Sequence, residues 1–279
     1  MSLILDMKVF IAGSCKNLEC LAFKGGAFKK VDFPALCVFF KVLHNNQEIN
    51  ILFDSGYSEH FFKATTNFPE KLYALSTPVS LNSTLKSQLK LHNITKIDFI
   101  FISHFHADHI GGLKDFEKVS FIASKEAYES FIHKNKWSNL RQGVLPNLLP
   151  KDFKERLIDI KTLQKSAFNK DFQEAYLWLD CFFIVPLFGH ALGQYGLFFT
   201  YKNQEIFLIA DSIWDYKSLM DNALPSKLTH FLLSDTQEFY HTIKCLQNMQ
   251  HSNPKVLFVP SHCKTSIEKL QNFLKAQNV

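Results

Sequence analysis

The stretch Phe101-Ile102-Ser103-His104-Phe105-His106-Ala107-Asp108-His109-Ile110-Gly111-Gly112 sets three imidazoles and one carboxylate within six residues, directly after Lys96 to Ile102, an apolar run of strand length. Packing does not explain that density, because polar side chains that leave water must find partners. In an extended loop His104 and His106 lie on one side and can reach one cation, while Asp108 and His109 lie further along and can reach another. Imidazole and carboxylate donors together suit Zn²⁺, with Fe or Mn also admitted. Gly111-Gly112 predicts a sharp turn into a helix.

Working outward, Lys8 to Ile11, Leu36 to Leu43 and Ile49 to Phe53 read as strands, the last two joined through the turn residues His44-Asn45-Asn46-Gln47. Asp54-Ser55-Gly56 then forms a tight strand-end loop, followed by a short helix around Glu59 to Thr65. Leu85 to Leu91 reads as a helix, Val119 to Ala123 as a strand, and Ser124 to His133 as a helix capped by Ser124. Downstream, strands are predicted at Cys181 to Val185, Tyr195 to Tyr201, Glu205 to Ile209 and Lys255 to Val259, and helices at Phe239 to Met249 and Thr265 to Ala276. Alternating strands and helices argue for an α/β class. Residues 131–175 depart from this pattern, with Pro146, Pro150, poor periodicity and nine Lys/Arg against five Asp/Glu. A solvated, partly helical excursion and a cap or lid over a pocket both fit it.

Hydrophobic residues make up 47% of the 279 and charged ones 20%, so a large core is available and global disorder is excluded. No apolar run has the length of a membrane-spanning helix, and Asp6 and Lys8 interrupt what a signal peptide would need. Six cysteines without a CxxC pair read as reduced thiols, and the expected location is cytoplasmic. A net charge of +5 without a Lys/Arg block gives no reason to expect nucleic acid or membrane partners. A small-molecule substrate is expected, and the oligomeric state is left open, a homodimer included.

The set His104, His106, Asp108 and His109 resembles the HxHxDH signature of the metallo-β-lactamase superfamily without substitution, and the resemblance extends over nearly the whole chain. Val185-Pro186-Leu187-Phe188-Gly189-His190 resembles the loop that supplies that family's next metal-binding histidine. Phe207-Leu208-Ile209-Ala210-Asp211 resembles the strand that delivers the bridging aspartate, and Leu257-Phe258-Val259-Pro260-Ser261-His262 the strand that brings the last histidine. The resemblance implies an αββα sandwich, two mixed β-sheets packed face to face with helices outside. It would be a single domain over residues 1–279, with 131–175 as an inserted cap or lid-like segment. It also implies two divalent metal ions, one on His104, His106 and His190, the other on Asp108, His109 and His262, with Asp211 bridging. His190, Asp211 and His262 each stand immediately after a predicted strand, where a ligand is rigidly held.

By the same resemblance Asp108 is a catalytic residue that handles the proton passed to the leaving group, and Asp54 orients a ligand rather than binding metal. Tyr57 and Phe105 read equally as pocket walls or as core, and Cys263 as a neighbouring thiol. The layout around Phe53-Asp54-Ser55-Gly56-Tyr57 and Arg141-Gln142-Gly143 resembles the branch that includes N-acyl homoserine lactonases. Gln194 stands where many relatives have a further histidine, which points away from glyoxalase II. Trp214 stands where those lactonases have a substrate-holding tyrosine, and it reads as core or as the wall of an apolar pocket. The expected function is hydrolysis by a metal-bridging hydroxide at an ester-like carbonyl, a lactone or carboxylic ester first. A phosphodiesterase on the same site, a diiron redox protein, and a metal-containing binding or regulatory protein with little turnover are the rivals.

Overall fold

The computed structural model describes residues 2–22, 26–220, 224, 230 and 233–277. The chain divides into two compact units. One comprises Leu3–Asn17 and Asp32–Ile160. Its strands are β1 (Leu3–Leu18), β2 (Lys30–His44), β3 (Gln47–Phe53), β4 (Val79–Ser80), β5 (Phe99–Phe101), β6 (Ser120–Ala123) and β7 (Leu157–Asp159). They form a mixed sheet in the order β4-β1-β2-β3-β5-β6-β7. The β2-β3 hairpin closes where the sequence predicts: His44 pairs with Gln47, and Asn45 and Asn46 take the left-handed backbone that a two-residue hairpin turn needs. From β3 through β7 the pairing is parallel, so the carboxyl ends of β3 and β5 lie side by side.

Helices Leu85–Leu91 and Lys125–Ile132 start at Thr84 and Ser124, whose side chains accept from the amides of Ser87 and Ala127. The core of this unit joins Phe39, Leu52, Phe61, Ile100, Phe121 and Phe153, the last two stacked at 4.9 Å. Arg156 pins the turn before β6: its Nη1 donates to the carbonyls of Phe116 and Val119 at 3.0 and 3.2 Å, and its guanidinium lies over the Phe121 ring.

The other unit comprises Met1–Ser2, Leu18–Val31 and Lys161–Val279. Its strands are β8 (Gln164–Ser166), β9 (Ala175–Trp178), β10 (Phe182–Pro186), β11 (Tyr195–Tyr201), β12 (Gln204–Ala210) and β13 (Leu257–Pro260), ordered β13-β12-β11-β10-β9-β8. Neighbours are antiparallel except β12 and β13, which run parallel because the helix Thr236–Ser252 carries the chain back between them. That helix is capped by Asp235, which accepts from the amides of Gln237 and Glu238. It packs with Val185, Leu187, Phe207, Ile209 and Phe258 in the core of this unit. The helix Lys264–Ala276 ends the described chain.

Residues 131–175 are more regular than the sequence suggests. They include helices Lys136–Arg141 and Phe153–Arg156 and supply β7 and β8, the outer strand of each sheet. All six cysteines are free thiols; five are buried, and Cys181 is partly so. Burial, with Asp180 adding, pushes the Cys181 thiol up to about 12, and burial also raises Cys37 and Cys245. Among the described residues no helix is long and apolar enough to cross a membrane.

Candidate metal centre

In the unit containing residues 32–160, the chain leaves β5 through Ser103 and reaches His104, which is buried. His106 follows in extended backbone and begins the one-turn helix Ala107–Ile110, which carries Asp108 and His109 on buried positions. The imidazoles crowd together: the His104 ring lies 4.5 Å from that of His106 and 4.0 Å from that of His109. Three imidazoles gathered this closely beside a carboxylate repel one another if protonated, and are compatible when neutral nitrogens share a cation.

Asp54, at the end of β3, organises this group. It has φ +56, a conformation that Asp tolerates better than most residues, and it is wholly buried. Its Oδ1 accepts from the Ser103 amide at 2.8 Å, and its Oδ2 accepts from Ser103 Oγ and His109 Nδ1, both at 2.7 Å. Burial raises the Asp54 carboxyl above its ordinary range and outweighs the opposing pull of His109 and Ser103. With Nδ1 donating to Asp54, the lone pair of His109 is directed to Nε2. Ser55 fixes the other side of the motif, its amide and its Oγ both donating to the His109 carbonyl.

Gly111 and Gly112 are needed for closeness rather than for a sharp turn. Neither has positive φ, but a Cβ on either would come within 2.7 and 2.6 Å of the Gly56 and Ser55 carbonyls. Gly143 does have positive φ, +70, and a Cβ there would lie 2.9 Å from His106 Cδ2.

In the unit containing residues 161–279, His190, Asp211 and His262 converge. His262 Nε2 is 3.0 Å and His190 Nε2 3.4 Å from Asp211 Oδ2. Asp211 follows Ala210, which has φ +46, at a point where the β12-β13 register shifts by a residue. Such a bulge re-aims the side chain beyond it. The His190 loop passes through Gly189 at φ +113, tight against the start of the helix Thr236–Ser252. Ser234 and Asp235 donate their amides to the carbonyls of His190 and Gly189.

The three imidazole or carboxylate groups here, like the four above, are donors of the kind that hold Zn²⁺, Fe or Mn and leave no soft sulfur ligand in the set. Cys263 instead hydrogen-bonds Thr265 and Ser266 through its Sγ. Trp214 is half-buried; its Nε1 donates to Asp211 Oδ2 at 3.4 Å, and its ring meets His190 edge-on at 5.5 Å. Phe105 packs among Phe131 and Phe153, and Tyr57 against Phe61. Both therefore lie in the aromatic core of their unit. Ser103 as the link between Asp54 and His109, and Gly143 as the backing of His106, are roles that spacing does not signal.

The family model for anti-Pycsar protein Apyc1 matches residues 75–267. No curated protein matches the chain. Among solved structures, an N-acyl homoserine lactone hydrolase with N-hexanoyl-L-homoserine bound at its catalytic metal center is 16% identical, with a TM-score of 0.69 over 95% of this chain and 96% of that one. A probable metal-dependent hydrolase from Staphylococcus aureus is 15% identical, with a TM-score of 0.67 over 94% and 91%. A hydrolase, AbOPH, in the beta lactamase superfamily is 16% identical, with a TM-score of 0.60 over 95% and 89%. These likenesses show the fold alone, an α/β fold built on two mixed sheets and similar to that of the beta lactamase superfamily hydrolase.

Proposed function

The chain belongs to the anti-Pycsar protein Apyc1 family, and from that premise we propose that it is a dinuclear metal-dependent hydrolase acting on a small anionic substrate. One ion would be held by His104, His106, His190 and Asp211, the other by Asp108, His109, Asp211 and His262. The observation that carries this reading is that each unit gathers donors that are wholly His and Asp, His104, His106, Asp108 and His109 in one and His190, Asp211 and His262 in the other. Two divalent ions in such a site would supply an activated water and neutralise charge on the attacking and leaving oxygens.

The residues do the rest. Asp54 holds the His109 tautomer through its 2.7 Å hydrogen bond. Asp108, buried at the edge of the set, is the group we assign to carry a proton to the leaving oxygen. For the bond cleaved we favour a phosphodiester over a lactone or carboxylic ester. Trp214 offers no phenol hydroxyl to a substrate carbonyl, and its one donor is turned to Asp211. The chain is also net positive at +5, which suits an anionic substrate. The lactonase likeness, at 16% identity, speaks for the fold and not for the bond. In the role given by the family's name, such an enzyme would act against Pycsar.

The test is a panel of linear and cyclic phosphodiesters, aryl esters and acyl homoserine lactones, offered to metal-loaded protein and to Asp108→Asn. Turnover of phosphodiesters, falling on the order of 100-fold or more in the variant, is expected. Turnover confined to lactones or esters would replace the phosphodiester reading, and two bound metals with no turnover on the panel would favour a binding or regulatory protein.

A further inference from the structure

The His190 loop and the Asp211 turn are joined by a residue that belongs to neither ligand set. Gln194 is completely buried. Its main chain closes the loop, with the Leu187 amide donating to the Gln194 carbonyl at 3.0 Å. Its side-chain Nε2 donates to the Leu187 carbonyl at 2.9 Å and to Ser212 Oγ at 3.2 Å. Ser212 is the neighbour of Asp211, and its own proton is committed to the Ile209 carbonyl at 2.8 Å. Leu187 and Ser212 therefore both present acceptors, and the site calls for two protons from one side chain.

A carboxamide nitrogen carries two protons and stays neutral, whereas a neutral imidazole carries one and a carboxylate none. The two acceptors on this side are thus met by the Gln nitrogen, while Gln194 Oε1 is buried with no hydrogen-bond partner among the described residues. The turn it holds also needs holding, since Ala210 has φ +46 immediately before Asp211, and unfavourable backbone persists only where its surroundings fix it. We propose that Gln194 is a positioning residue that ties the His190 loop to the Asp211 turn and so sets the spacing of those two side chains for a metal ion. The inference rests on the dinuclear reading above.

The experiment uses Co(II) as the probe, with binding constant and visible absorption spectrum as readouts, on wild type, Gln194→Met, Gln194→His, Ser212→Ala and the Gln194→Met/Ser212→Ala double variant. Thermal unfolding of each metal-free protein reports folding separately. Weaker Co(II) binding in both Gln194 variants, on the order of 10-fold, with an altered spectrum, is expected. Ser212→Ala should weaken binding alone but add little to Gln194→Met, because the two act through one link. Folded Gln194 variants that bind Co(II) like wild type, with its spectrum, would overturn the proposal. If Gln194→Met does not fold, Ser212→Ala decides, and unchanged affinity there overturns it equally. Wild type that binds no Co(II) would instead defeat the metal reading on which the inference rests.

Discussion

His109 is oriented by one short bond to a carboxylate that has no exposure to water, and this makes Asp54 a sensitive test of the centre. Asp54→Asn keeps the shape but replaces an acceptor with a donor toward either Ser103 or His109. Metal affinity should fall by roughly 10- to 100-fold, as measured by Zn²⁺ competition titration; an unchanged affinity would mean that His109 is not a ligand. His106 has a steric support rather than a polar one. Gly143→Ala would put a methyl group 2.9 Å from its ring, at a backbone angle of φ +70. The expected result is a loss of about 1–2 kcal/mol in stability by chemical denaturation, together with weakened metal binding. His104, His106, Asp108 and His109 were legible in the sequence because their spacing is a local property, and His190, Asp211 and His262 by resemblance to a family pattern. Gly143 and Gln194 were not, because what they do is defined by atoms distant in the chain.

At the scale of single elements, turns and caps carried the clearest signals. Asn45-Asn46 folds as a left-handed two-residue turn, and Ser124 caps its helix as predicted. The β5 strand, Phe99–Phe101, is shorter than the apolar run Lys96 to Ile102, and just ahead of it the Asp98 carboxylate accepts from the Asn50 amide. β7 and β8 escaped notice because a three-residue strand is too short to display alternation. Two variants of the Thr236–Ser252 helix separate capping from packing. Asp235→Ala removes the acceptor for two amides and should cost about 1 kcal/mol. Gly189→Ala would bring a Cβ within 2.0 Å of the Phe239 nitrogen at φ +113, and should cost more than about 2 kcal/mol. Urea midpoints of the two variants check the order; equal costs would argue that the Gly189 contact relaxes freely.

For the molecule as a whole, metal on the proposed ligands should stabilise the fold. Each ion at 100 times its dissociation constant contributes about 2.7 kcal/mol. Chelation should therefore lower the unfolding temperature, and calorimetry with and without a chelator would test it; an unchanged transition would count against metal binding. The thiols offer an independent check. Burial holds Cys181 at about 12, so at pH 8 roughly one molecule in ten thousand carries its thiolate there. Alkylation of the native protein should be far slower than that of the unfolded chain, as followed by mass spectrometry. Fast labelling would mean that the Cys181 environment opens readily.

That shielding of sulfur has a bearing on durability. Oxidants attack thiolates that water can reach, and five of these six cysteines lie buried while the remaining one is held protonated. The fold is built without a disulfide and shields its thiols, so cysteine chemistry should leave its shape alike in reducing and oxidising surroundings. Cysteine usage, which suggested a reducing compartment, therefore places no demand on where this chain can work.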